Sequence, residues 1–72
     1  MKTLYDVQQL LKRYGTYVHV GRRIWDIELM SIELKKMYDQ QILSKEDYIE
    51  AQLVLKKEHH YEEQQERKHN DK

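Results

Sequence analysis

The chain has 72 residues, so it forms one small domain at most. It contains no cysteine, which excludes both a disulfide framework and a thiolate metal site. Its formal net charge of zero conceals an asymmetry. Residues 1–25 carry five basic side chains and one acidic one, whereas residues 26–72 carry eight basic and twelve acidic side chains. With no proline and frequent Leu, Gln, Glu and Lys, the composition predicts an all-α fold.

The first predicted helix extends from about Thr3 to Tyr14. Thr3 is placed as its N-cap, and Asp6 follows three residues later as in a capping box. Gly15 is the residue type that most easily takes the left-handed conformation after a helix, so the helix is expected to end there. One face of this helix is apolar and is expected to point into the core; it consists of Leu4, Val7, Leu10, Leu11 and Tyr14.

Residues 16–21, TYVHVG, alternate in a pattern that would suit a β-strand. The sequence offers no second strand to pair with it, so we predict an extended connector. In this connector Val18 and Val20 are expected to point inward, whereas Tyr17 and His19 point outward.

The central helix is predicted from about Arg22 to Gln41 and carries two apolar stripes. The wider stripe has the three-and-four spacing of a core face and consists of Ile24, Ile27, Met30, Leu34, Met37 and Tyr38. The second contains Trp25, Leu29 and Ile32. We expect the first and third helices to cover one stripe each; the alternative is that the second stripe contacts another chain.

The third helix is predicted from Lys45 to the mid-sixties. Ser44 is its N-cap with Asp47 as the N3 partner, and Leu43 and Tyr48 form a hydrophobic staple. Its apolar content stops at Leu55, so the remainder is expected to continue into solvent and to fray before Asn70. We therefore predict a small three-helix bundle, with a core domain at 1–56 and a charged helical C-terminal extension at 57–72.

Several segments carry a family resemblance: MKTLYDVQQLLKRYG at the start, then Gly21, DIELM, ELK, KEDY and LVLKKE. In these segments the chain resembles the YqgQ-like family of short bacterial proteins, over nearly its whole length up to about Tyr61. The resemblance implies an all-helical, cytosolic protein, and the family fold has prompted a suggestion of single-stranded nucleic-acid binding. It brings no catalytic motif and no agreed functional residues.

The sequence contains no arrangement typical of an enzyme. Ser31 and Ser44 are the only serines, and neither has a histidine placed as its base. His59 and Glu63 are four residues apart and give at best two metal ligands, which falls short of a structural site. We expect no catalytic residue, metal, cofactor or small-molecule substrate. The N-terminus has no continuous apolar run, so we expect neither a signal peptide nor a membrane span, and a cytoplasmic location.

One group of residues combines positive charge with aromatic rings, as proteins that bind single-stranded RNA or DNA do. The basic-aromatic cluster consists of Lys12, Arg13, Tyr17, His19, Arg22 and Arg23. In the alternative explanation Arg22 pairs with Asp26, Tyr14 and Trp25 belong to the core, and Tyr17 is half-buried. Our prediction is non-enzymatic binding of a single strand by this cluster.

A homo-oligomerising or protein-interaction module is the rival function. It would use the second stripe of the central helix together with the second apolar face of the third helix. We call these residues the outer face: Trp25, Leu29, Ile32, Ile49 and Leu53.

Overall fold

The protein folds as three α-helices joined by two short connections, as the sequence predicts. In a computed structural model, residues 1–70 are described, with the backbone alone for residues 67–70. Helix α1 is Leu4–Arg13, α2 is Arg23–Asp39 and α3 is Lys45–Asn70. No strand occurs within residues 1–70, and residues 16–21 form the extended connector. Residues 71–72 of the predicted extension lie outside the described residues.

Helix α1 begins with the predicted capping box. Thr3 Oγ1 accepts the backbone N–H of Asp6, and the Asp6 carboxylate accepts the backbone N–H groups of Lys2 and Thr3. These two donors lower the pKa of Asp6. The helix ends in a Schellman motif, in which Gly15 has a φ of 82° and the N–H of Thr16 donates to the Leu11 carbonyl.

Helix α2 ends two residues before the predicted position. Gln41 adopts a φ of 62°, and Ile42 N–H donates to the carbonyl of Met37, so a second Schellman motif closes the helix. A left-handed glutamine is uncommon because its Cβ crowds the backbone, which explains why the sequence does not mark this end. Ser44 Oγ then accepts the N–H of Asp47 and starts α3 as predicted.

The core lies where all three helices meet. It contains buried side chains from α1, α2 and α3 and from the turn before α3, namely Leu4, Val7, Leu10, Leu11, Ile27, Met30, Leu34, Met37, Leu43, Ala51 and Leu55. Val18, Tyr48 and Val54 pack against its edge. The Tyr38 and Tyr48 rings stack with their centroids 4.3 Å apart and connect the two ends of the α2–α3 turn.

Two side chains predicted to point inward are exposed instead. Tyr14 follows the last residue of α1, where the chain is already turning, so its ring leaves the apolar face. The Val20 side chain is also exposed, and its backbone N–H donates to the Asp26 carboxylate, which fixes the end of the connector against the start of α2.

Helix α3 is longer than predicted and reaches Asn70. Its charged part also contacts the start of α2 as far as Glu66, so the prediction that it continues into solvent is wrong for this stretch. None of the helices within residues 1–70 combines the length and the apolarity that a membrane crossing requires.

Candidate functional site

Two arginines of the basic-aromatic cluster, Arg22 and Arg23, are paired with carboxylates of α3. Arg22 forms an ion pair with Glu66. The Arg23 guanidinium lies 3.7 Å from a carboxylate oxygen of Glu58 and 3.7 Å from one of Glu62. Both arginines keep about half of their side-chain surface exposed, at 52% and 55%, so water screens these pairs and each contributes little to stability.

The aromatic rings of the cluster are exposed, and cations lie beside two rings of this region. Lys12 Nζ is 5.4 Å from the centroid of the Tyr17 ring, and the Arg22 guanidinium is 4.9 Å from that of Trp25. The ring of His19 is 6.3 Å from Tyr17. Lys12 and Arg13 lie in the last turn of α1 and are exposed.

The alternative explanation of the cluster is wrong in its details. Arg22 pairs with Glu66 and not with Asp26. Tyr14 and Trp25 are each 49% exposed, and Tyr17 is 70% exposed. Asp26 is instead buried in the first turn of α2, where it accepts the Val20 N–H and lies 3.9 Å from His19 Nδ1. A carboxylate at this position is favoured by the positive end of the helix dipole.

The residues of the outer face are all exposed. Each keeps between 40% and 61% of its surface accessible, so the expectation that neighbouring helices cover both stripes of α2 is wrong. The reason is geometric: α1 and α3 both pack on the wider stripe, and Trp25, Leu29 and Ile32 lie on the opposite side of the helix. Three large apolar side chains of one helix are thus exposed on the same side.

A groove between α2 and α3 continues this face. It has two adjoining sections, of about 720 Å³ and 670 Å³, and both include Ser31, Ile32, Gln52 and Lys56. Ile49 and Leu53 line the first section. In the groove, Ser31 Oγ donates to Gln52 Oε1 at 2.8 Å, and Gln52 Nε2 donates to the Ser31 carbonyl at 3.1 Å, so the two helices are fixed side by side.

The two ends of the groove differ in charge. Glu28 and Glu63 lie at one end with His59 between them, and Lys35 and Lys36 lie at the other end with Asp39. His59 Nε2 is 2.8 Å from Glu28, and its Nδ1 is 3.2 Å from Glu63. The hydrogen bond to Glu28, followed by that to Glu63, raises the pKa of His59.

Comparison with known proteins shows the family of this chain. The family model described as YqgQ-like matches residues 1–61. The chain belongs to the YqgQ-like family. A relative in Bacillus subtilis (strain 168), named "Uncharacterized protein YqgQ", is 48% identical over 58 residues, which are 81% of this chain and 82% of that protein. That name states no activity.

The YqgQ-like match includes the basic-aromatic cluster and the outer face, and it ends within the acidic part of α3. Arg22, Arg23 and Glu58 lie inside residues 1–61, whereas Glu62 and Glu66 lie beyond them. In the part of the chain that the structure describes, no group of three or more His, Cys, Asp or Glu side chains is arranged to hold a metal ion.

Sequence reasoning missed three features of this site. The buried Asp26 looks like any other acid in a first helical turn, and no sequence signal distinguishes it. The Ser31–Gln52 pair joins residues on different helices, which pattern analysis within one helix cannot detect. The carboxylates that face the arginines did leave a signal, because Glu58, Glu62 and Glu66 repeat every four residues and therefore lie along one side of α3.

Proposed function

We propose that the protein is a non-enzymatic, cytoplasmic interaction module that binds another protein through its outer face. The observation that carries this proposal is the exposure of five large apolar side chains on adjacent helices. Ile32 belongs both to the α2 stripe and to the groove, and Ile49 and Leu53 line the same groove, so the exposed apolar residues are contiguous. Protein interfaces have such an apolar centre with a polar rim.

The five side chains of the outer face still have apolar surface that a partner can bury. Each large apolar side chain that becomes fully buried contributes about 1.5–3 kcal/mol, and these five begin roughly half exposed. Covering them therefore provides several kcal/mol to offset the costs of association. The Ser31–Gln52 pair supports the proposal because it holds the two helices that carry the outer face in a fixed arrangement before binding.

The experiment places a photo-crosslinking amino acid at Leu53 in cells that express the protein naturally. Tyr61 is the matched control position, because it lies on the same helix, is similarly exposed and belongs to neither section of the groove. We expect a discrete protein adduct from position 53, none from position 61, and loss of the adduct in Leu29→Glu. Equal labelling at both positions, or no adduct from position 53, contradicts the proposal.

A second candidate function is the binding of single-stranded RNA or DNA by the basic-aromatic cluster. It is favoured by the exposed Tyr17 ring with Lys12 beside it, since unpaired bases stack on aromatic faces while cations bind the phosphates. The ion pairs of Arg22 and Arg23 weigh against it, because a phosphate would have to displace carboxylates of α3. For this reason we rank it second.

The nucleic-acid candidate is tested by fluorescence anisotropy with short unpaired oligonucleotides over a range of salt concentrations. Affinity should decrease linearly with the logarithm of salt and decrease further in Arg22→Glu/Arg23→Glu. Glu62→Gln/Glu66→Gln should increase it, because those carboxylates compete with phosphate. No binding at low salt, or an affinity that neither pair of substitutions changes, excludes this function.

A further inference from the structure

The outer face and groove have the charge distribution of a surface that pairs with itself. Glu28 and Lys35 are seven residues apart on α2, which is two helical turns or about 10 Å. They lie on the same side of the helix, each lines one section of the groove, and Ile32 lies between them. The acid and the base are thus placed on either side of an apolar centre.

We propose that the partner of the outer face is a second copy of this chain, related by a two-fold axis that passes close to Ile32. This inference rests on the proposed function and names the partner. With α2 antiparallel to its counterpart, Glu28 of each copy lies opposite Lys35 of the other, and the Ile32 side chains meet at the axis. Such a contact is isologous, so the Glu28–Lys35 ion pair forms twice in each dimer.

Both charged groups retain capacity for a second partner. Glu28 uses Oε2 to contact His59, which leaves Oε1 available. The Lys35 ammonium lies 3.2 Å from Asp39 and has three N–H donors, of which that contact uses one. Intermolecular pairing at the axis therefore requires neither contact within the chain to break.

The area that a dimer needs is a small part of the surface of this chain. A standard interface buries about 800 Å² on each partner, and the chain exposes 5543 Å², so the interface would cover roughly a seventh of the surface. The formal net charge of zero is also compatible with self-association, because two copies do not repel each other through their overall charge.

The test is a charge swap measured by sedimentation velocity over a range of protein concentrations. Glu28→Lys and Lys35→Glu each bring like charges together twice per dimer, so each should raise the dimer Kd by about tenfold or more. The double variant Glu28→Lys/Lys35→Glu restores opposite charges across the axis and should return the Kd to near its original value. Recovery of this kind is specific to a symmetric self-contact.

The matched charge controls are Glu50→Lys and Lys57→Glu. These residues are also seven apart, are exposed on α3 and line neither section of the groove, so the Kd should not change. For the apolar centre, Ile49→Glu should dissociate the dimer, whereas Ile42→Glu, at an equally exposed isoleucine outside the groove, should not. Urea unfolding of each variant as a dilute monomer separates lost association from lost folding.

Sedimentation tests the two-fold self-contact, and crosslinking at position 53 tests the proposed function. A monomer at all concentrations, or a dimer that the double swap does not restore, overturns the two-fold self-contact. If position 53 nevertheless crosslinks to a different protein, the proposed function stands and only the identity of the partner is wrong. If position 53 gives no adduct, the proposed function fails as well.

Discussion

His59 of α3 contacts one carboxylate of α2, Glu28, and one of its own helix, Glu63. Its ring nitrogens lie within hydrogen-bonding distance of Glu28 and Glu63, and only the protonated imidazolium can donate from both nitrogens at once. The pKa of His59 is raised above the ordinary value of 6.5 because these acceptors favour the charged form. The stabilisation is therefore fully present below pH 6.5 and is lost as the pH rises through the raised value.

We predict that replacing His59 by Gln reduces the free energy of unfolding at pH 5.5 more than at pH 8.5. The difference should be at most about 1 kcal/mol, because both carboxylates are about half exposed and water screens the pairs. Urea unfolding at a series of pH values measures it. His60→Gln, at the exposed neighbouring position, controls for the loss of a histidine. An equal effect of His59→Gln at both pH values would contradict the assignment.

The exposure and the bonding partners of single residues in the site were only partly predictable from the sequence. Exposure of Tyr17 and His19 follows from the alternation in the connector and is confirmed. The partners of Arg22 and Arg23 could not be predicted from the sequence. They depend on where α3 lies relative to the start of α2, which is a property of the tertiary structure. The nearest acid in sequence, Asp26, is used instead to hold the backbone of the connector.

At the scale of helices, local rules identified the beginnings of α1 and α3. Thr3 with Asp6 and Ser44 with Asp47 form their predicted bonds, because a cap depends on only three or four successive residues. The extent of α3 was harder to predict. Beyond Leu55 the helix lacks a continuous apolar face, and the side chains that connect it to the bundle as far as Glu66 are charged.

We predict that neutralising Glu58, Glu62 and Glu66 together as glutamines loosens the end of α3 and leaves the core intact. Glutamine preserves helix propensity, so the change removes only the attraction to the arginines. Hydrogen exchange should become faster at amides from about residue 60 onward, with little change around Ala51 and Leu55. Glu50→Gln, an exposed acid elsewhere on α3, is the control. Unchanged exchange after the triple substitution would show that the pairs do not hold the helix.

At the scale of the molecule, the two apolar stripes of α2 were predicted correctly. The prediction that α1 and α3 cover one stripe each was wrong. The pattern shows that a second stripe exists, whereas the directions from which neighbours approach depend on how α1 packs on the α2–α3 hairpin. With one apolar face on α1, a single core formed on the wider stripe. The outer face was left without a neighbour, which is why self-association becomes the central question for this protein.

Trp25 gives a direct optical test of that question, because it is the only tryptophan and it belongs to the outer face. We predict that its fluorescence emission shifts to shorter wavelength as protein concentration rises through the dimer Kd, since the indole passes from water into an apolar interface. Over the same range the thermal unfolding midpoint should rise, because association stabilises the folded state by mass action. Leu29→Glu should keep the emission of the dilute protein at every concentration. If sedimentation detects a dimer while the emission stays constant, Trp25 lies outside the contact, and the two copies meet through some other surface.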